Sequence, residues 1–275
     1  MDLIRNNFNL MPIIDKYNER ADKVNSLACV GLDSEFEKLP ERFKQMENSQ
    51  FEFNKRIIDQ THEFVAAFKA NIAFYEGRGD QGLRELKMTQ DYIKENHPDI
   101  FRVCDSKRGD IGNTNNGYVE ELFDWFDFDA ITLHPYMGKE SLMPFLNRSD
   151  KGCIILCRTS NPGAGELQDL LVGKKPLWQI VAEKVRDEWN FNDNCLLVVG
   201  VTVPEEAKKI REIVGDITFL MPGAGVQGGD IGATVKSSLN SQNKGFILNS
   251  SRGVIFSKNP REEAKKLRDE INKYR

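Results

Sequence analysis

Eight short apolar runs recur along the sequence, each followed by a polar or glycine-rich stretch and then a segment of helical period, and this alternation constrains the fold most. In order they occupy residues 26–32, 64–70, 100–106, 130–136, 152–158, 195–202, 218–222 and 245–251. Val, Ile, Leu or Phe stand on both parities, as in strands buried on both faces. Between them, residues 175–189 set Leu177, Ile180, Val181, Val185 and Trp189 on one side of a helix. Residues 204–214 open with Pro204 and two glutamates and space Ala207, Ile210 and Val214 helically, and 260–271 open with Pro260 and acidic residues. Residues 84–95 read as an amphipathic surface helix. Strands that alternate with helices are parallel and joined by crossovers. Eight such units in 275 residues predict an α/β fold, a (β/α)8 TIM barrel, as one domain over 1–275. Residues 1–25 form an N-terminal helical extension in this reading, and 33–50 an inserted loop with a short helix. A doubly wound open sheet is the alternative arrangement of the same elements.

Charge and composition narrow the partners. With 38 basic and 42 acidic residues the formal net charge is -4, unlike the basic footprint of a dedicated nucleic-acid binder. No apolar run approaches the roughly 20 residues that span a bilayer, and the first residues lack a signal peptide's charge order, so a cytoplasmic protein is expected. The five cysteines form no C-x-x-C pair and read as packed, reduced thiols. Cys153 and Cys157 lie four apart without a second ligand pair, which argues against zinc.

In a barrel of this kind the chemistry sits at the C-terminal ends of the strands. The first run ends at Asp33, the second carries Lys69, and the third leads into Asp105-Ser-Lys-Arg-Gly-Asp110. Residues i and i+2 of a strand share a face, so Asp105 and Lys107 should point the same way, with Lys69 reaching the same end from the neighbouring strand. Each has a structural reading alone, as a turn former, a snorkelling lysine or an ion pair. Together they place alternating charges at the functional rim, where buried charge is costly unless paired or used. The seventh run is followed by Pro222-Gly-Ala-Gly-Val-Gln-Gly-Gly-Asp230 and the eighth by Ser250-Ser-Arg-Gly253. Loops in these two positions frequently bind phosphate, with glycine admitting the anion to backbone N–H groups and Arg252 and Gln227 adding donors. His62 and His97 fall in helical stretches, while His134, before Pro135, could enter the site. No H-E-x-x-H, G-x-S-x-G or Walker motif occurs.

Asp105-x-Lys107-x-x-Asp110-Ile111-x-x-Thr114, with Asp33 and Lys69 upstream and Pro222-Gly-x-Gly-x-Gln-Gly-Gly-Asp230 downstream, closely resembles the orotidine 5′-phosphate decarboxylase family. The resemblance runs from Asp33 to Arg252. Lys107-Arg-Gly-Asp-Ile-Gly112 and the chain length are similar to its longer bacterial branch, and the departures from the shorter branch are the extension before residue 26, the 33–50 insertion and Gly112 where proline often stands. It implies a homodimer without cofactor or metal that converts orotidine 5′-monophosphate to UMP and CO2 in pyrimidine synthesis. It further implies Lys107 as proton donor, Asp105 beside the substrate carboxylate, and Lys69 on the ribose and orienting Asp105. Asp110 and Thr114 would reach the partner subunit's substrate. Asp33 would bind a ribose hydroxyl, Ser160 the pyrimidine, and Gln227, Ser251, Arg252 and nearby backbone N–H groups complete the substrate-binding set, chiefly at the phosphate. Other readings of the same charges are a metal-dependent barrel of the hexulose-phosphate synthase type, a Schiff-base enzyme using Lys69 or Lys107, and a non-catalytic nucleotide-binding barrel.

Overall fold

The computed structural model describes residues 12–223 and 230–275. All eight apolar runs carry strands: β1 Ala28–Gly31, β2 Ala67–Asn71, β3 Phe101–Arg108, β4 Ala130–Leu133, β5 Gly152–Arg158, β6 Cys195–Val199, β7 Phe219–Pro222 and β8 Phe246–Ser250. Each pairs in parallel with its neighbours in chain order, and β8 closes on β1. The open-sheet alternative is thereby excluded. Because helices cover the outside and side chains fill the inside, the strands are buried on both faces, which explains the unbroken apolar runs.

The helices follow the expected periods. Pro204–Val214 buries Ala207, Ile210 and Val214, and Pro260–Asn272 buries Ala264, Leu267 and Ile271 behind an Asn259 cap that accepts the Glu262 N–H. Gly79–Asn96 contains the 84–95 stretch, but its inner face is partly polar: Glu85 is fully buried and accepts from the Phe51 N–H at 2.9 Å and Arg78 at 2.8 Å. The 175–189 segment differs in detail. Lys175–Pro176 pairs with Leu171–Val172 in a two-residue antiparallel ribbon, the helix begins at Leu177, and Val185–Trp189 continues it as a π-helical turn. Trp178, Ala182, Val185 and Trp189 face the core, leaving Leu177, Ile180 and Val181 half-buried. The large indole of Trp178 supplies more apolar area than Leu177 and sets the helix's rotation.

The N-terminal mouth of the barrel is closed by the helix Ile13–Lys23. Its Tyr17 is fully buried, donates to the Phe246 carbonyl at 2.6 Å and meets the Phe101 ring edge-on at 5.8 Å. Arg20 donates to the Val65 carbonyl at 3.2 Å and to the His62 carbonyl, and pairs with Asp99 at 2.9 Å. Between β1 and the helix Ser49–Thr61 lie a 3-10 turn, Phe36–Lys38, and a single helical turn, Glu41–Lys44. All five cysteines are buried and unpaired.

Candidate active site

Four charged side chains form a row across the C-terminal ends of β1, β2 and β3. The Asp33 carboxylate lies 3.2 Å from Lys69 Nζ, Lys69 lies 3.5 Å from Asp105, and Asp105 lies 2.5 Å from Lys107 Nζ. The row alternates in sign and is formally neutral, so each buried charge has an opposite neighbour. Lys69 is the deepest, with 2 % of its side chain exposed, against 51 % for Lys107. Burial alone would push the Lys69 ammonium below its ordinary pKa, but the carboxylates of Asp33 and Asp105 outweigh it and hold it well above. Burial likewise opposes ionisation of Asp105, yet Lys69, Lys107 and the hydrogen bonds from Lys107 and Thr132 keep its carboxyl below the usual range.

Neighbouring strand ends hold the row in place. Asp33 also accepts the Asn71 N–H at 3.1 Å and the Ser251 hydroxyl at 2.6 Å, so one carboxylate ties β1 to β2 and β8. Asn249 donates to the Ser251 oxygen at 3.2 Å and accepts from Cys29 Sγ at 3.4 Å. Gly31 makes this crossing possible: a Cβ there would stand 1.9 Å from Ser251 Oγ. Beside the row lies a cavity of about 170 Å³ bordered by Asp33, Lys69, Asp105, Asn249, Ser251 and Arg252. Its walls set Lys69 and Arg252 beside Asp33, Glu35 and Asp105, which suits a polar ligand that offers both an anionic group and hydroxyl donors.

The expected i, i+2 alignment of Asp105 and Lys107 has a different cause from a regular strand. The β3–β4 register shifts between Cys104 and Arg108, and Lys107 has φ 46°, in the left-handed region. This bulge turns the Lys107 ammonium back onto Asp105. Thr132, which the sequence reading passed over, donates to Asp105 Oδ1 at 3.0 Å and accepts the Lys107 N–H at 2.9 Å. Its only signal was a hydroxyl inside an apolar run. Asn249, a carboxamide inside the eighth apolar run, carries as little signal.

Other expected residues lie elsewhere. Asp110 is half-buried, its carbonyl accepting from Ser141 at 2.6 Å and from Asn115, and Thr114 is exposed on the helix Gly112–Val119; neither borders the cavity. Ser160 is half-buried where β5 and β6 end, packed so closely that a Cβ on Gly200 would be 2.7 Å from its own Cβ. Gln227 lies outside the described residues. His134 does not enter the charged cavity: its ring Nε2 is 3.1 Å from the Gly109 carbonyl, and it borders an apolar cleft of about 500 Å³ with Trp178 and Val181. His62 and His97 stack on each other at 4.2 Å and do not border the cavity.

The family model described as orotidine 5′-phosphate decarboxylase / HUMPS family matches residues 26–267. The chain is 45 % identical over 271 residues to an orotidine 5′-phosphate decarboxylase of Cellvibrio japonicus, covering 95 % of this chain and 98 % of that protein. It is 43 % identical over 272 residues to one of Dechloromonas aromatica, covering 96 % and 100 %. Among solved structures, the OMP decarboxylase of Leishmania donovani superposes with a TM-score of 0.86 at 38 % identity, covering 96 % of this chain and 98 % of that one.

Proposed function

The chain belongs to the orotidine 5′-phosphate decarboxylase / HUMPS family and is a carboxy-lyase that converts orotidine 5′-monophosphate to UMP in pyrimidine biosynthesis; we propose that the alternating charged row is the group that performs the step. The observation that carries this reading is the geometry of Lys107, an ammonium held at 2.5 Å against Asp105, which itself borders the cavity shared with Lys69 and Arg252.

Loss of CO2 breaks the bond between C6 of the pyrimidine and its carboxylate and leaves the electron pair on C6. That pair lies in the ring plane, where the π system cannot absorb it, so stabilisation has to come from the protein. An ammonium about 4 Å away contributes about 4 kcal/mol at an effective dielectric of 20. Lys107 supplies this charge and then its proton: an N–H bond breaks, a C6–H bond forms, and the amine is left neutral. Asp105 anchors Lys107, and Lys69 with Asp33 contacts the ribose. Ser251 and Arg252 bind toward the phosphate, a fixed dianion remote from C6 whose binding energy holds the base in position. No metal or organic cofactor takes part in this scheme. Purified protein in excess EDTA is expected to consume orotidine 5′-monophosphate fully, followed by loss of orotate absorbance; dependence on added divalent metal would overturn the scheme.

We further infer that two copies share their sites. Asp110 and Thr114 stand off the cavity on a loop and helix whose Ile111 is 57 % exposed, with Tyr136 81 % exposed on the next loop, an apolar surface suited to a second copy that would bring Asp110 and Thr114 over its neighbour's substrate. Mixing Lys69→Ala and Asp110→Ala chains should then restore about a quarter of wild-type turnover, since half the dimers are mixed and each holds one intact composite site. No recovery on mixing would refute sharing. The five free thiols fit a reducing, cytoplasmic setting.

A further inference from the structure

Thr132 faces the irregular part of β3 alone. The register pairs Val103 with Ala130 and Cys104 with Ile131, and resumes at Arg108 opposite Leu133. Four steps along β3, from 104 to 108, therefore match two along β4, from 131 to 133, and residues 105–107 have only Thr132 across from them. All three bond to it. Thr132 Oγ1 donates to Asp105 Oδ1 at 3.0 Å, Ser106 Oγ donates to the Thr132 carbonyl at 3.1 Å, and the Lys107 N–H donates to Thr132 Oγ1 at 2.9 Å.

The direction of these bonds is determined. A backbone N–H can only donate, so the Thr132 hydroxyl accepts from Lys107, and its single proton points to Asp105. Asp105 is thus addressed as an acceptor on Oδ1 by both Thr132 and the Lys107 ammonium, while its Oδ2 faces Lys69. The same hydroxyl pins the Lys107 backbone at φ 46°, a conformation lysine rarely adopts and one that has to be held by its surroundings. Thr132 is fully buried and does not border the cavity, so it reaches substrate only through the two residues that it holds.

We propose that Thr132 is a positioning residue for the decarboxylation, fixing the Asp105–Lys107 pair through one hydroxyl; the proposal rests on the reading of Lys107 as proton donor. Thr132→Val keeps the shape and removes the hydroxyl, whereas Thr132→Ser keeps it. The valine chain should lose roughly 30-fold in kcat with KM and UMP affinity within about threefold of wild type, and the serine chain should return to within about threefold. In a Lys107→Ala background, Thr132→Val should cost less than about threefold more, because the two act through one group. Near-normal kcat in the valine chain, a loss carried by KM, or full additivity in the double variant would each overturn the proposal. If the valine chain does not fold, Thr132→Ala removes the hydroxyl without apolar bulk against Asp105 and reads the same split. The underlying reading fails separately: near-normal turnover of Lys107→Ala removes Lys107 from its role, whereas a slow Lys107→Ala beside a normal Thr132→Val sinks only the positioning role.

Discussion

At the N-terminal mouth of the barrel, Asp129 accepts both its oxygens' worth of Lys16 Nζ, at 2.7 and 2.8 Å, takes the Arg102 N–H at 2.8 Å and lies 3.5 Å from Arg102 Nε. At the C-terminal mouth, Asp105 stands between Lys69 and Lys107. The two carboxylates are similarly buried, 7 % and 13 % exposed, and each is bonded to two cations. They differ in what adjoins them. Over Asp129 sits the helix Ile13–Lys23, which supplies Lys16, while Asp105 borders an open cavity. They differ also in backbone: Arg102 lies in the unbroken β2–β3 register, opposite Phe68, whereas Lys107 sits on a bulge. Buried ion pairs are therefore no mark of chemistry by themselves, and what separates the two carboxylates is that Asp105 borders a cavity and pairs with a residue whose backbone conformation needs support.

Substitutions at the two ends should separate catalysis from stability. Lys107→Ala is expected to lower kcat by at least about 10²-fold with UMP affinity largely kept, read by steady-state kinetics and titration. At the other end, Asp129→Asn should cost about 2 kcal/mol in urea unfolding, since Lys16 and Arg102 lose their shared charge, and leave kcat unchanged. If that variant slowed turnover instead, the two ends would not be independent. Gly31→Ala drives a methyl into Ser251 and should raise KM about tenfold at near-constant kcat, whereas Gly152→Ala, 2.8 Å from the Ala130 methyl at the opposite end, should change stability alone. Equal kinetic effects from the two glycines would erase the contrast.

The smallest expected effect is on pH dependence. Burial opposes ionisation of Asp127, but hydrogen bonds from Lys94 and Lys151 and the charges of Lys151 and Arg102 hold its pKa below the ordinary value. A depressed folded pKa makes its contribution to stability full above the ordinary carboxylate pKa of about 4, and that contribution drains away as pH falls toward the folded value. Asp127→Asn should thus flatten the acid limb of the stability curve below about pH 4 and leave the neutral region's slope alone; an unchanged acid limb would count against it.

Strand positions were readable because both-face burial leaves an apolar run that needs no partner to be recognised. The same holds for the charged ends of those runs, Asp33, Lys69, Asp105 and Lys107, each of which the barrel brings within 3.5 Å of the next. What depended on a neighbour could not be read. The bulge at 105–107 exists only in the offset between β3 and β4, so alternation along one strand predicted the right meeting of side chains by the wrong geometry. Thr132 is polar in an apolar run, but its partners lie 25 and 27 residues away. The Lys16–Asp129 pair spans 113 residues and left no local trace.

The two lysines of the row differ in their access to water, and under the proposed scheme, with Lys107 as proton donor, that difference has a kinetic consequence. An amine that gives its proton to carbon has to be recharged before the next cycle. Lys107, half in solvent, can be refilled directly from the bulk, without a relay through the barrel. Lys69, sealed between two carboxylates, never has to give a proton up in that scheme. One ammonium is thus a consumable and the other a permanent fixture, and turnover can empty the first without disturbing the field set by the second.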